Sequence, residues 1–126
     1  MIERINDVPD GVLGFEGVGE VGADDYRQVV VPAFASLEGT DRRARILLLF
    51  GSRFEKFSAG AMWEDAKMGL KHVRWERAAL VTDVDWMRHL TGAFGWLVPG
   101  DFRTFPVSDL DAAKAWVAQG AAPAPA

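Results

Sequence analysis

The sequence predicts an α/β fold, a mostly parallel mixed five-stranded sheet with four helices in the order β-β-α-β-α-β-α-β-α. Three observations carry this. Two continuous apolar runs, Ile46–Phe50 and Ala78–Val81, have the pattern of strands buried on both faces. The segments around them repeat their apolar residues at helical spacing. Strands that alternate with helices imply crossover connections and a sheet covered on its faces.

The elements follow in order. Ile2–Val8 and Val12–Glu16 are short apolar stretches separated by Pro9-Asp10-Gly11. Proline presets φ and glycine accepts positive φ, so an opening β-hairpin is expected. Asp24 is a good N-cap for a first helix whose stripe is Tyr26, Val29, Val30, Ala33, Phe34 and Leu37. Pro32 removes one backbone donor and predicts a kink, and Gly39 ends the helix. The strand Ile46–Phe50 closes on Gly51. A second helix, about 58–74, carries Ala59, Met62, Trp63, Ala66, Leu70 and Val73 on one face. After Ala78–Val81, Asp85 caps a third helix with Trp86, Met87, Leu90, Ala93, Phe94 and Leu97 in its stripe, stopped by Pro99-Gly100. Phe102–Val107 reads as a strand, and Pro106 suggests an edge position. Ser108 with Asp111 resembles a capping box that opens a last helix bearing Leu110, Ala113, Trp116 and Val117. No internal repeat or linker divides the chain, so residues 1–119 form one domain, and the Ala-Pro tail 120–126 is expected to be disordered.

Composition narrows the function classes. The 126 residues are 49% hydrophobic and 25% charged, an ordinary globular mixture. A formal net charge of −4 argues against general affinity for nucleic acid, which needs a basic surface. With no cysteine, disulfides, thiolate metal sites and cysteine nucleophiles are absent. No apolar run approaches the roughly 18 residues of a membrane span, and Met-Ile-Glu-Arg-Ile-Asn lacks a signal-peptide core. A cytoplasmic protein is expected.

Catalytic and cofactor motifs are sparse. Gly17-Val18-Gly19-Glu20-Val21-Gly22 matches the dinucleotide-binding glycine pattern. The helix after it, however, opens on Asp24-Asp25, which would repel a pyrophosphate, and the next strand ends in Phe50-Gly51-Ser52 with no acid for a ribose hydroxyl. A flexible Gly-rich turn is the expectation there. His72 and His89, the only histidines, fall on different helices without carboxylates at ligand spacing, so no metal site is expected. Asp83 and Asp85 follow a buried strand; Asp85 reads as a helix cap and Asp83 as a solvated loop acid rather than Mg²⁺ ligands. No cofactor is implied, and the expectation is a protein that is not an enzyme.

Several stretches together resemble the SpoIIAA-like family of small STAS-type domains, itself similar in fold to CRAL-TRIO lipid carriers. They are Asp24-Asp25-Tyr26 leading to Val31-Pro32, Ile46–Phe50, Trp63-Glu64-Asp65-Ala66-Lys67, and Glu76-Arg77-Ala78-Ala79-Leu80-Val81-Thr82-Asp83. Trp86, Phe102-Arg103-Thr104-Phe105 and the Ala-rich last helix with Trp116 complete the set. The resemblance implies an edge strand antiparallel to a parallel core. It also implies a non-enzymatic role through protein partners, ligand or membrane association. Anti-sigma-factor antagonists carry a phosphorylatable serine in an Asp-Ser-Ser-Gly-like motif. Ser58 is the positional counterpart here, without that motif.

Two binding readings follow. The first is reversible binding of an apolar or amphipathic ligand, such as a lipid, or of a membrane surface. Five tryptophans are a high load for this length, and Trp96 projects away from its helix's apolar stripe. Phe54, Phe57, Met62, Trp63 and Trp96 are the candidate ligand-binding residues, with Phe54 and Phe57 in a loop that could act as a lid. Lys67, Lys71 and Arg74 form a basic strip beside Trp75, the candidate surface for a peripheral contact with the inner membrane face or a partner. The second reading is a regulatory protein-interaction module of the anti-sigma-antagonist type, switched at Ser58. Off-stripe tryptophans also suggest a homodimer, without selecting its surface.

Overall fold

The turn Pro9-Asp10-Gly11 forms as its chemistry dictates. Gly11 takes φ +85°, and the Val12 N–H donates to the Pro9 carbonyl at 3.2 Å. Through it β1 (Ile2–Ile5) folds back on β2 (Leu13–Gly17), antiparallel, with Ile2 opposite Gly17 and Ile5 opposite Gly14. The computed structural model describes residues 1–36, 43–57, 75–85 and 101–119.

From β2 inward every pairing in the main sheet is parallel. β4 (Ala44–Phe50) lies between β2 and β6 (Trp75–Thr82), and β7 (Asp101–Phe105) closes the far edge. The order is β1-β2-β4-β6-β7, a mixed five-stranded sheet whose one antiparallel strand lies at an edge. Pro106 falls just past β7, an edge strand as expected.

The two faces of β4 feed two cores, because successive side chains point to opposite sides. On one face Ile46 joins Phe15, Val30, Ala33, Ala44 and Ala78. On the other Leu47 joins Val12, Ala79, Val81, Ala113 and Val117. The first face is covered by the helical segment α1 (Ala23–Asp25), a π-helical turn (Tyr26–Val30) and α2 (Val31–Ala35). The second is covered by α3 (Leu110–Ala118). A π turn widens the helix immediately before Pro32, where a regular α-helix would drive the proline ring against the Gln28 carbonyl. That is the distortion the proline called for.

Several local expectations are corrected. Asp24 does not cap the first helix: the helix already includes Ala23, and Asp25 Oδ2 accepts the Gly22 N–H at 2.9 Å. Asp24 is exposed and pairs instead with Arg27 at 3.1 Å. The last helix does not open on a Ser108 capping box. The chain enters it through a 3₁₀ turn (Val107–Asp109), with Asp109 at the N-cap position and no side-chain cap. Proline at 106 and the Asp83 carboxylate, which accepts the Val107 N–H at 3.0 Å, set that entry. Asp83 is thus exposed but engaged. Asp85 is already helical rather than the cap that precedes the third helix, and it is exposed. The expected helix over 58–74, the third helix beyond Asp85, the helix stop at Gly39 and the tail 120–126 lie outside the described residues.

Arg45 and Arg77 finish α3. Gln119, at its C-cap, is extended, and the orphan carbonyls of the last turn need donors. Arg45 Nη1 donates to the carbonyls of Val117 at 2.7 Å and Gln119 at 2.8 Å, while its Nη2 pairs with Glu76. Arg77 Nη1 donates to the Trp116 carbonyl at 2.7 Å. Two cations therefore meet the negative end of the helix dipole.

Candidate functional site

At the carboxyl ends of parallel strands the loops diverge, and ligands of α/β sheets gather there. In this chain the two loops at that end do not stay loops. After Gly17 the chain passes Val18 and forms β3 (Gly19–Val21); after Phe50 it turns at 51–53 and forms β5 (Phe54–Phe57). β3 and β5 pair in parallel as a separate two-stranded sheet, with Gly19 opposite Phe54, Glu20 opposite Lys56, Val21 opposite Phe57, and an irregularity between Gly19 and Glu20.

This overturns two expectations. The glycine-patterned segment 17–22 is not a flexible turn; most of it is strand, with Gly19 at φ +61°. No phosphate-cradling loop leads from β2 into the helix. Phe54 and Phe57 are likewise strand residues, not members of a loop lid. A single-sequence pattern misses both because each strand is short and finds its partner more than thirty positions away.

Gly17 explains how the small sheet seats on the large one. A Cβ at Gly17 would lie 2.5 Å from the Phe50 ring, so only glycine lets that ring close over the end of β2. Phe50 in turn meets Phe54 edge-to-face, with ring centroids 5.0 Å apart and planes at 69°. Both rings are half-buried, and Val21 beside Gly17 is buried. The result is an aromatic ledge at the carboxyl end of β2 and β4.

A charged clamp holds this ledge from the side. Arg53, in the turn between Phe50 and Phe54, donates through Nε and Nη2 to Glu16 at 3.1 and 2.8 Å and through Nη2 to Glu3 at 2.9 Å. Its backbone carbonyl accepts the Gly19 N–H at 2.7 Å. Hydrogen bonds to Glu16 and then Glu3 raise the guanidinium pKa above its ordinary value. Arg53 is exposed, so this network orients the turn more than it stabilises the fold.

The remaining expected site residues divide as follows. Phe54 stands on the ledge, and Phe57 closes β5 opposite Val21 in register. Trp75 is the first residue of β6, paired with Ala44 at the start of β4. Phe54 follows the end of β4, so the seven residues of that strand separate Trp75 from the ledge, and the two stand at opposite ends of the sheet. Met62, Trp63, Trp96, Lys67, Lys71, Arg74 and Ser58, with His72 and His89, lie outside the described residues. Among the described residues no group of three or more His, Asp or Glu could hold a metal ion, and no helix is long and apolar enough to cross a membrane.

Sequence reasoning missed a second cluster, where Trp116 of α3 meets β6 and β7. The Trp116 ring has Arg77 4.9 Å and Arg103 5.2 Å from its centroid, with the Phe105 ring 5.8 Å away. Arg103 and Trp116 each fell in stretches that carry the resemblance, but nothing local ties Arg103 to a residue thirteen positions on.

The SpoIIAA-like family model matches residues 12–118, from the start of β2 to the end of α3. The chain belongs to the SpoIIAA-like family. A solved relative agrees: the crystal structure of an uncharacterized protein of the DUF3478 family, with a SpoIIAA-like fold, from Shewanella loihica PV-4. It is 29% identical, with 93% of this chain and 90% of that chain covered at a TM-score of 0.64. The search of curated proteins returned no match. For this SpoIIAA-like domain, the mixed sheet with its antiparallel edge strand is the architecture that the resemblance in Trp86, Thr104 and their neighbours led one to expect.

Proposed function

We propose that this SpoIIAA-like domain is a non-catalytic binding module that reversibly holds an apolar or amphipathic ligand, or a membrane surface, at the carboxyl ends of its parallel strands. Membership in the family supports the non-catalytic part. The observation that supports the ligand class is the ledge of Phe50 and Phe54 over Gly17, two half-buried rings at the end of the sheet where ligands gather. Phe57, Met62, Trp63 and Trp96 belong to the same proposal on sequence grounds, as do Lys67, Lys71, Arg74 and Trp75 for a membrane or partner contact.

Native mass spectrometry of freshly purified protein, with organic extraction, tests the reading directly. A retained fatty acid or lipid is expected. Phe54→Asp should weaken binding of a fluorescent fatty-acid probe by at least about tenfold, since burying a phenylalanine side chain is worth about 1.5–3 kcal/mol. A clean apo mass, no probe binding and no co-sedimentation with anionic vesicles would together end the proposal.

A second reading has family membership in its favour: a regulatory partner in place of a ligand. Ser58 follows directly on Phe57, the last residue of β5, and a phosphate there would alter any contact made at this end of the sheet. Ser58→Glu should then release a partner that Ser58→Ala retains in pull-downs from the native host. Equal retention by both variants rejects the switch.

A further inference from the structure

We propose that the outer edge of β7 is the seam of a homodimer, formed by antiparallel pairing of Asp101-Phe102-Arg103 with the same residues of a second copy, centred on Phe102. β7 is the last strand of the main sheet, and among the described residues its outer edge pairs with no other strand. Such an edge presents a row of unpaired backbone donors and acceptors that templates another strand. What selects the partner is the charge pattern of Asp101-Phe102-Arg103-Thr104-Phe105.

Two antiparallel copies related by a two-fold axis normal to the sheet set one residue opposite its own copy. With Asp101 there, two carboxylates meet; with Arg103 there, two guanidiniums meet, and like charges directly opposite are destabilising. With Phe102 on the axis, Asp101 of each copy faces Arg103 of the other, so two opposite-charge pairs form, and the two Phe102 rings meet. The register against β6 supports this. Asp101 and Arg103 fall opposite Arg77 and Ala79, on the α3 face, whereas Phe102 packs with the other core, so the ion pairs and the ring contact occupy different faces.

Both charges are already held in place. Arg103 sits over the Trp116 ring at 5.2 Å, and Asp101 lies 3.8 Å from Arg77 Nε while remaining largely exposed at 73%. Neither must be ordered from a free coil when the copies meet. The opposite edge of the sheet lacks this match. In Ile2-Glu3-Arg4-Ile5 a central axis on Glu3 opposes two carboxylates and one on Arg4 opposes two guanidiniums. β7 is therefore the edge that accepts a second copy.

The test uses the full chain and two charge reversals, read by sedimentation velocity across a concentration series. Wild type is expected to dimerise. Asp101→Arg carries two cations at the seam and Arg103→Asp two anions, so each alone should weaken the dimer at least about tenfold. Mixed one to one, they become fully complementary and should form a heterodimer. Phe102→Cys should cross-link across the axis under mild oxidation, in a chain that has no other cysteine. Circular dichroism of each variant establishes that it is folded. A monomeric wild type at every concentration, a dimer indifferent to both reversals, or reversals that fail to rescue each other on mixing would overturn the proposal.

Discussion

Arg45→Met should lower the folding free energy by roughly 3 kcal/mol, because it removes three charge-assisted hydrogen bonds, of which the one to Val117 is buried. Arg45 is 4% exposed, although it lies in a strand that is otherwise apolar. Its guanidinium reaches two carbonyls at the end of α3 and the carboxylate of Glu76. Methionine fills a similar volume but donates nothing, so the Val117 carbonyl loses a buried partner. Glu76 fares better. Its side chain is 37% exposed and can rehydrate, so Glu76→Gln should cost only about 1 kcal/mol. Arg45→Lys should fall between, since one ammonium cannot span both carbonyls and the carboxylate. Urea unfolding with an unchanged m-value measures all three. A methionine variant within about 0.5 kcal/mol of wild type would show that α3 does not depend on this clamp.

Phe15→Ala should cost about 3–5 kcal/mol, the range for removing a fully buried aromatic ring. Phe15 is 1% exposed and sits among Val30, Ala33, Ile46 and Ala78, so it joins the first helical segment to the three central strands. The Arg4 guanidinium, 5.3 Å from its ring centroid, adds a smaller cation–π contact. A domain of this size is stable by only about 5–15 kcal/mol, so the variant should melt far earlier or fail to fold at physiological temperature. Phe15→Leu keeps the variant measurable and should lose a smaller share. Leu47→Ala, on the opposite face, should lose about 2–5 kcal/mol independently. Thermal and chemical denaturation of the variants, with a loss below about 1 kcal/mol for Phe15→Ala, would contradict the assigned core.

These two residues illustrate how much of the fold was legible from sequence. Phe15 sits in an apolar stretch after a Pro-Asp-Gly turn, and its strand and burial follow from that local pattern. Arg45 gives no such sign. It stands just before the expected strand Ile46–Phe50, and its carbonyl partner at Val117 lies 72 positions away. The same contrast holds at the candidate site. The aromatic character of Phe54 and Phe57 was visible, but their place in a strand was not. Trp75 was placed with the basic strip of the second helix and the strand was expected only from Ala78; in the fold Trp75-Glu76-Arg77 opens β6, where Glu76 and Arg77 serve the end of α3.

The sequence by itself determined the α/β class, the opening hairpin, the central apolar strands, the edge position of β7 and the family to which the chain belongs. Each is written in short windows, in the period of apolar residues or in turn chemistry, or in the order of several such windows along the chain. Only the tertiary structure decided that β3 and β5 leave the main sheet to pair with each other, that Gly17 must be bare for the Phe50 ring to close over it, and that α3 is capped by arginines from β4 and β6. Those outcomes depend on which distant groups meet. A three- or four-residue strand, or a lone arginine, has too weak a local preference to choose its partner, and the packing of the two cores makes that choice.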